Sequence, residues 1–167
     1  MSQAIDEMDI KILGLLQRNC HFTNKEISDK VGRSVNAVVE RIKRLEEEGY
    51  IEKYVAILNK ELIDRSLIAF TTIQLKEHSA EALRGFAREC IKFQEVMECY
   101  HLTGTFDFLL KIAIEGMKEY EEFLMHKLAT LSNIGVLQSF FVLSEKKVET
   151  AYELNVEKKG KKIKKGK

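Results

Sequence analysis

Apolar residues recur at helical spacing through the first fifty positions and at alternate positions from residue 67 onward, which predicts a helical piece followed by a mixed one. In "IDEMDIKILGLL", Ile5, Met8, Ile12, Leu15 and Leu16 share a face, and Asp6, Glu7 and Asp9 stand where the positive end of a helix dipole favours them. Thr23 opens a second helix, with Glu26 three residues on to complete a capping box. Ile27 and Val31 point inward, and Gly32 supplies a positive-φ stop. Ser34 caps a third helix running to about Glu48, with Val35, Val38, Val39, Ile42 and Leu45 as the expected inward stripe. Asn36, Ala37, Glu40, Arg41 and Arg44 then fall on its outer face, and Gly49 ends it.

The alternation of "IEKYVAILN" predicts a linking strand over residues 51–59, followed by the linker "KELIDRS". "LIAFTTIQL" is a strand, and Leu83, Phe86, Ala87, Cys90 and Ile91 form one face of a helix. "VMECYHLTGTFDFLLKIAIE" makes two strands about a turn at Gly104, Tyr120, Phe123, Leu124, Leu128 and Leu131 mark a second helix, and "GVLQSFFVL" closes the set. Strand, helix, strand, strand, helix, strand is the ferredoxin-like order. The expected class is α+β: a helix-turn-helix domain over residues 1–50, a linking strand and linker over 51–66, a ferredoxin-like βαββαβ domain over 67–152, and a disordered lysine-rich tail over 153–167.

Right-handed crossovers put both helices of such a domain on one face of its sheet. The strands nevertheless read as apolar on both sides. Leu67, Ala69, Ile73 and Leu75 alternate with Ile68 and Phe70, while Val136, Phe140 and Val142 alternate with Leu137, Phe141 and Leu143. An uncovered apolar sheet calls for a partner, so a homodimer through this domain is expected.

Three helices in fewer than fifty residues, the last two joined by a glycine corner, make a helix-turn-helix, whose second helix enters the major groove of double-stranded DNA. Ser34, Asn36 and Ala37 are short enough to admit the backbone, and Asn36 can pair with adenine. Arg41 and Arg44 can reach guanine or a phosphate, with Arg33 as a further cation at the leading end. Thr23, Asn24 and Lys25 suit a phosphate at the start of the second helix. Residues 1–60 hold ten acidic and ten basic side chains, so charge alone does not separate this reading from a plain three-helix bundle. Placement does, because Glu46, Glu47 and Glu48 collect at the far end of the third helix.

Other classes fall away. No apolar run approaches the roughly 18–20 residues of a membrane span, and the acidic start "MSQAIDEMD" is unlike an export signal, so a cytoplasmic location is expected. Cys20, Cys90 and Cys99 form no CxxC pair and read as reduced, mostly buried apolar residues. Cys99 and His101 share a strand face, but two ligands make no zinc site, and no metal is expected. His21, His78, His101 and His126 have no acid or serine partner at motif spacing, so no catalysis is expected. The net charge of +1 conceals a division: seven lysines lie in the last ten residues, leaving −6 on the rest. Such a block predicts a solvated arm able to bind phosphates without choosing sequence.

With "IDEMDIKILGLLQRN", "TNKEISDKVGRSVNAVVERIKRLEEEGYIEKYVAILN" and "LTGTFDFLLKI" in place, residues 5–150 resemble the leucine-responsive regulatory protein/AsnC (Lrp/AsnC) family of transcription regulators. The resemblance implies a winged-type helix-turn-helix joined to a ferredoxin-like (ACT-like) sensing domain, with dimers assembling into tetramers or an octameric ring. It implies no cofactor, but an effector, usually an amino acid, where dimers meet. Carried onto this chain, that site is Leu102, Thr103, Gly104, Thr105, Phe106 and Asp107, with Ser132, Asn133, Ile134, Gly135 and Val136. Asp107 can pair with an ammonium group, and backbone amides near Gly104 and Gly135 can receive a carboxylate. The family pattern does not explain the lysines past Glu157. The expected function is a sequence-specific transcriptional regulator responding to a small effector. An architectural DNA-binding protein without ligand control is the alternative.

Overall fold

The computed structural model describes residues 5–155, which divide into two compact units: the chain up to Ala56 together with the segment from Lys147, and Ile57–Lys146. The lysine block over 158–167 lies outside the described residues.

In the first unit, α1 spans Glu7–Leu16, α2 Asn24–Val31 and α3 Val35–Glu47. Each start is capped as the sequence demands. The Asp6 carboxylate accepts the Asp9 N–H at 2.9 Å and Asp9 returns the bond to the Asp6 N–H at 3.0 Å. Thr23 and Glu26 form the same reciprocal box on α2, and Ser34 Oγ accepts the Ala37 N–H at 3.3 Å. Gly32 ends α2 with φ 67°, where a Cβ would be strained. Ile12, Leu16, Ile27, Val38 and Leu45 form the buried core.

Two expectations change here. Val35 and Val39 are each 40% exposed, so the inward stripe of α3 is narrower than expected and centres on Val38 and Leu45. Residues 51–59 form no strand, and no wing strand occurs among the described residues; Val55 and Ile57 are 55% and 73% exposed. Alternation alone cannot hold a strand without a neighbour to take its backbone hydrogen bonds. The segment from Lys147 packs with the first compact unit.

The second unit has β1 (Leu67–Leu75), α4 (Ala80–Cys90), β2 (Val96–His101), β3 (Phe108–Ile114), α5 (Met117–His126) and β4 (Ile134–Phe141). The strands run antiparallel in the order β2-β3-β1-β4, the expected ferredoxin-like sheet. Ala69, Ile73, Leu75, Leu110, Ile112 and Ile114 bury one face in a core with Phe86, Cys90, Tyr120 and Phe123 of the helices. Thr71 is buried among them without penalty, because its hydroxyl meets Tyr120 Oη at 2.9 Å and Ser139 Oγ at 3.2 Å.

The opposite face follows from the register. Phe70 pairs with Phe140 and Lys111, and Thr72 pairs with Leu109 and Gln138. This face is therefore mixed, not wholly apolar as expected. Phe140 and Val136, each 50% exposed, share it with Thr72, Gln74, Gln138 and a Lys111–Glu98 ion pair at 2.8 Å.

Candidate nucleic-acid interface and ligand site

The outward face of α3 is set by what its flank has to satisfy. Asp9 is fully buried, at a position four residues after Ile5 and three before Ile12, within the inward stripe of α1. A buried carboxylate without a counter-charge would cost several kcal/mol. Two guanidiniums supply it: Arg41 lies 2.7 Å from Asp9 and 2.7 Å from Asp6, and Arg44 lies 2.5 Å from Asp9. The expectation that Arg41 and Arg44 reach the duplex is corrected, since α3 turns this flank to α1. Burial pushes the Asp6 carboxyl up, but the Asp9 amide, Arg41 and the Met8 amide outweigh it and hold the group below its usual 3.8. The Arg41 guanidinium is correspondingly raised, chiefly by its hydrogen bonds to Asp6 and Asp9. The sequence carried the signal, a carboxylate inside an apolar stripe.

What α3 leaves to solvent is Val35, Asn36, Val39, Glu40 and Lys43, with Glu46 and Glu47 at its far end; Ala37 is half-buried. Asn36, Val39 or Glu40, and Lys43 recur at three- and four-residue spacing, which makes one face. Val39, Glu40 and Lys43 are new to the candidate set. Val39 has a side-chain type that fits the inward stripe, and Lys43 lies between the two arginines, so neither stands out by type alone. Asn24, Lys25, Arg33 and Ser34 are exposed around the start of α2 and the turn. The Thr23 hydroxyl is engaged by Glu26 Oε2 at 2.8 Å.

In the second unit, the β2–β3 turn and the start of β4 flank the C-terminal end of β1. Asp107 donates its N–H to Ile73 O at 2.8 Å, and its Oδ2 accepts the Leu75 N–H at 2.7 Å. Its Oδ1 lies 2.9 Å from His78 Nδ1. Burial pushes this carboxyl up, but the Leu75 amide, the His78 ring and more distant His101 together hold it below 3.8. On the other side Asn133, at φ 74°, accepts the Lys76 N–H on its backbone oxygen and clamps Glu77 with its carboxamide at 2.8 and 2.9 Å. Gly135 allows the close approach, because a Cβ there would sit 3.1 Å from Gln74 O.

Both expected ligand loops thus gather on Gln74–His78. Thr103, Gly104, Thr105, Ser132, Gly135 and Val136 are exposed, whereas Asp107 is turned inward onto β1 with a side chain only 15% exposed. A cleft of about 440 Å³ opens beside Ser132 and Asn133, walled by Glu77, Ser79, Ala82 and Phe86. Glu77, His78 and Ser79 join the expected loops here, and His78 has Asp107 as an acid partner. They stand 29 residues apart, where no motif spacing reveals them. Cys90 is buried and Cys99 half-buried, while Cys20 is exposed. Among the described residues no cluster of three or more His, Cys, Asp or Glu could hold a metal, and no helix is long and apolar enough to cross a membrane.

The sequence profile of the Lrp/AsnC ligand binding domain matches residues 68–152, and that of a winged helix-turn-helix DNA-binding domain matches residues 5–52. The chain belongs to the Lrp/AsnC family. The leucine-responsive regulatory protein of Haemophilus influenzae is 37% identical over 146 residues, covering 87% of this chain and 88% of its own. That of Escherichia coli is 34% identical over 143 residues, covering 86% and 87%. Among solved structures, a transcriptional regulator from Neisseria meningitidis in complex with L-Met superposes with a TM-score of 0.87 at 35% identity, over 91% of this chain and 98% of that one. An AsnC family regulator from Agrobacterium tumefaciens gives 0.83 at 30% identity, over 90% and 97%. This Lrp/AsnC protein is accordingly a DNA-binding transcription regulator with a small-molecule-binding domain, and not an enzyme.

Proposed function

We propose that this Lrp/AsnC regulator reads its operators with the Asn36–Val39–Glu40–Lys43 face of α3 and answers to an amino acid held at the end of β1. The observation that carries the first half is the outward face left once Arg41 and Arg44 have turned to Asp9. Asn36 suits adenine, Glu40 can accept from the cytosine amino group, and Val39 can pack on a thymine methyl. Lys43, Arg33, Asn24, Lys25 and Ser34 ring this face as phosphate contacts, with Thr23 and Ala37 at its margin.

For the effector, the exposed backbone at Gly104 and Gly135 suits a carboxylate, and Glu77 beside the cleft suits an ammonium group. Leu102, Phe106, Ile134 and Val136 supply apolar surface nearby, and Asp107 shapes the site from beneath. The Neisseria relative's L-Met supports an amino acid as the ligand class. A homodimer formed through Phe70, Leu109, Val136 and Phe140 holds two reading helices for paired half-sites in the cytoplasm, and such dimers assemble to tetramers or octamers. An effector that binds one assembly better than another redistributes them.

The test is operator binding by the full chain, measured with and without each common amino acid, alongside thermal shift. One amino acid raises the melting temperature and changes operator affinity, and Asn36→Ala lowers the operator-to-random ratio. Equal binding to operator and random duplex by the unaltered chain overturns the reading.

A further inference from the structure

Two of the three cysteines are brought together by an irregularity in the sheet. The register of β2 with β3 slips between Val96 and Glu98, so that Val96 stands opposite Ile112 while Cys99 stands opposite Leu110, and both of those β3 residues are fully buried. In an unbroken strand, residues three apart point to opposite faces. The bulge at Met97 adds the residue that turns Cys99 to the helix-covered face, where it packs against the core. α4 ends at Cys90, which is fully buried, and the chain returns through two tight turns: the Phe93 N–H donates to Cys90 O at 3.2 Å and the Val96 N–H to Phe93 O at 3.1 Å. β2 is thereby packed against α4, and the two thiols lie within hydrogen-bonding reach of each other. That hydrogen bond, with burial adding to it, raises the Cys90 thiol; the same bond lowers Cys99 against its burial. Packing alone asks only for small apolar side chains at these places, not for two thiols face to face.

We propose that Cys90 and Cys99 are a dithiol that a hydroperoxide oxidises to a disulfide, bracing α4 against β2. Burial and the hydrogen bond divide the roles. Cys99, half-buried on the edge strand β2, is the sulfur that a small peroxide reaches, and the Cys90 S–H donates to it, which favours its thiolate. The Cys99 thiolate attacks one peroxide oxygen. The O–O bond breaks, Cys99 becomes a sulfenic acid, and hydroxide leaves, or alkoxide from an organic hydroperoxide. Cys90 then attacks the Cys99 sulfur. The S–S bond forms as the S–O bond breaks, and the sulfenic oxygen departs as water with the Cys90 proton. Each sulfur gives up one electron and the peroxide takes both, so two thiols and hydrogen peroxide become a disulfide and two waters. A second thiol already in contact lets closure outrun further oxidation of Cys99 to the sulfinic acid. α4 also walls the cleft beside Asn133 through Glu81, Ala82 and Phe86, and β2 leads into the β2–β3 turn. The bond therefore joins two elements that flank the candidate ligand site, although the thiol chemistry does not depend on that site being filled.

The experiment treats the reduced full chain with hydrogen peroxide in small molar excess and then alkylates the remaining thiols in urea, so that buried sulfur reacts too. Intact mass and peptide mapping read the result. Cys90 and Cys99 are expected to lose reactivity together, with the mass before alkylation lower by two hydrogens, their peptides joined, and both thiols restored by dithiothreitol. Cys20, which has no thiol beside it in its own unit, keeps its alkyl group at that dose. Cys90→Ser leaves Cys99 as a sulfenic acid that dimedone traps, and Cys99→Ser leaves Cys90 reduced, with far-ultraviolet spectra checking that each variant folds. If a variant does not fold, the mapping of the unaltered chain still decides. Amide exchange over the last turn of α4 slows about tenfold or more in the oxidised chain. Full alkylation of Cys90 and Cys99 at a dose that oxidises free glutathione overturns the inference. So does Cys99 passing to the sulfinic acid with Cys90 still free, or cross-linking of chains through Cys20 before the pair closes. A closed pair with α4 exchanging as fast as in the reduced chain would show that the bond braces nothing, and overturns it as well.

Discussion

Asp9 of α1 and Arg44 of α3 stand 2.5 Å apart, the carboxylate fully buried and the guanidinium side chain 24% exposed. Arg41 reaches the same carboxylate at 2.7 Å, so Asp9 has two counter-charges and each arginine backs up the other. Replacing both arginines with alanine leaves a buried charge alone and is expected to cost about 3–5 kcal/mol in denaturant unfolding. Either single replacement costs less than half as much, because the remaining guanidinium still meets the carboxylate. If the arginines were base readers instead, single replacements would lower operator affinity while leaving unfolding midpoints in place.

The exposed face of α3 predicts two kinds of DNA phenotype. Asn36→Ala and Glu40→Ala each lose about 1–3 kcal/mol at one base position and relax the preference there, scored by binding to single-base operator variants. Lys43→Ala weakens operator and random duplexes alike and lowers the salt slope by about 1. Val39→Ala, which removes two methyls from a side chain 40% exposed, barely changes stability but loses discrimination at a thymine.

The Thr23 and Ser34 caps, the Gly32 corner and the ferredoxin-like order of elements are legible because each rests on local chemistry or on a period of two or 3.6 residues. The stripe of α3 was legible only in part. Val35 and Val39 have the type of core residues, and only the packing of neighbouring helices decides that Val38 is covered and Val39 is not. Asp9 could have been found, since its place between Ile5 and Ile12 required a cation within reach. Nothing local marked the pairing of Asp107 with His78, or that of Gln17 with Tyr152 over 135 residues, because contacts closed by tertiary folding leave no spacing in the chain.

The open face of the sheet predicts an association phenotype. Phe70 and Phe140 are register partners at its centre, and Phe140 is 50% exposed. Phe140→Glu places a charge where apolar surface would otherwise be covered, at little cost to a free protomer. Light scattering at micromolar concentration is expected to show oligomers for the unaltered chain and monomers for the variant, with matching far-ultraviolet spectra. An unaltered chain that is itself monomeric would leave this face without the partner argued for it.

Asp107 sets an acid limit on the second unit. Its carboxyl titrates below 3.8 in the folded chain, so the unfolded chain takes up the proton first as pH falls. The stabilisation is fully present above about pH 4 and is lost as pH drops through the folded value. Asp107→Asn keeps an acceptor for the Leu75 N–H but cannot titrate, so its unfolding free energy should fall less steeply with pH than that of the unaltered chain below pH 4. Asp107→Ala goes further, leaving the N–H of Leu75, a residue 2% exposed, without its acceptor, at about 1–3 kcal/mol at every pH. Parallel stability curves for Asp107→Asn and the unaltered chain between pH 2 and 5 would show that the carboxylate does not hold the β2–β3 turn to β1. An effector response surviving in Asp107→Asn but lost in Asp107→Ala would place the residue beneath the ligand as a support, rather than on the ammonium group.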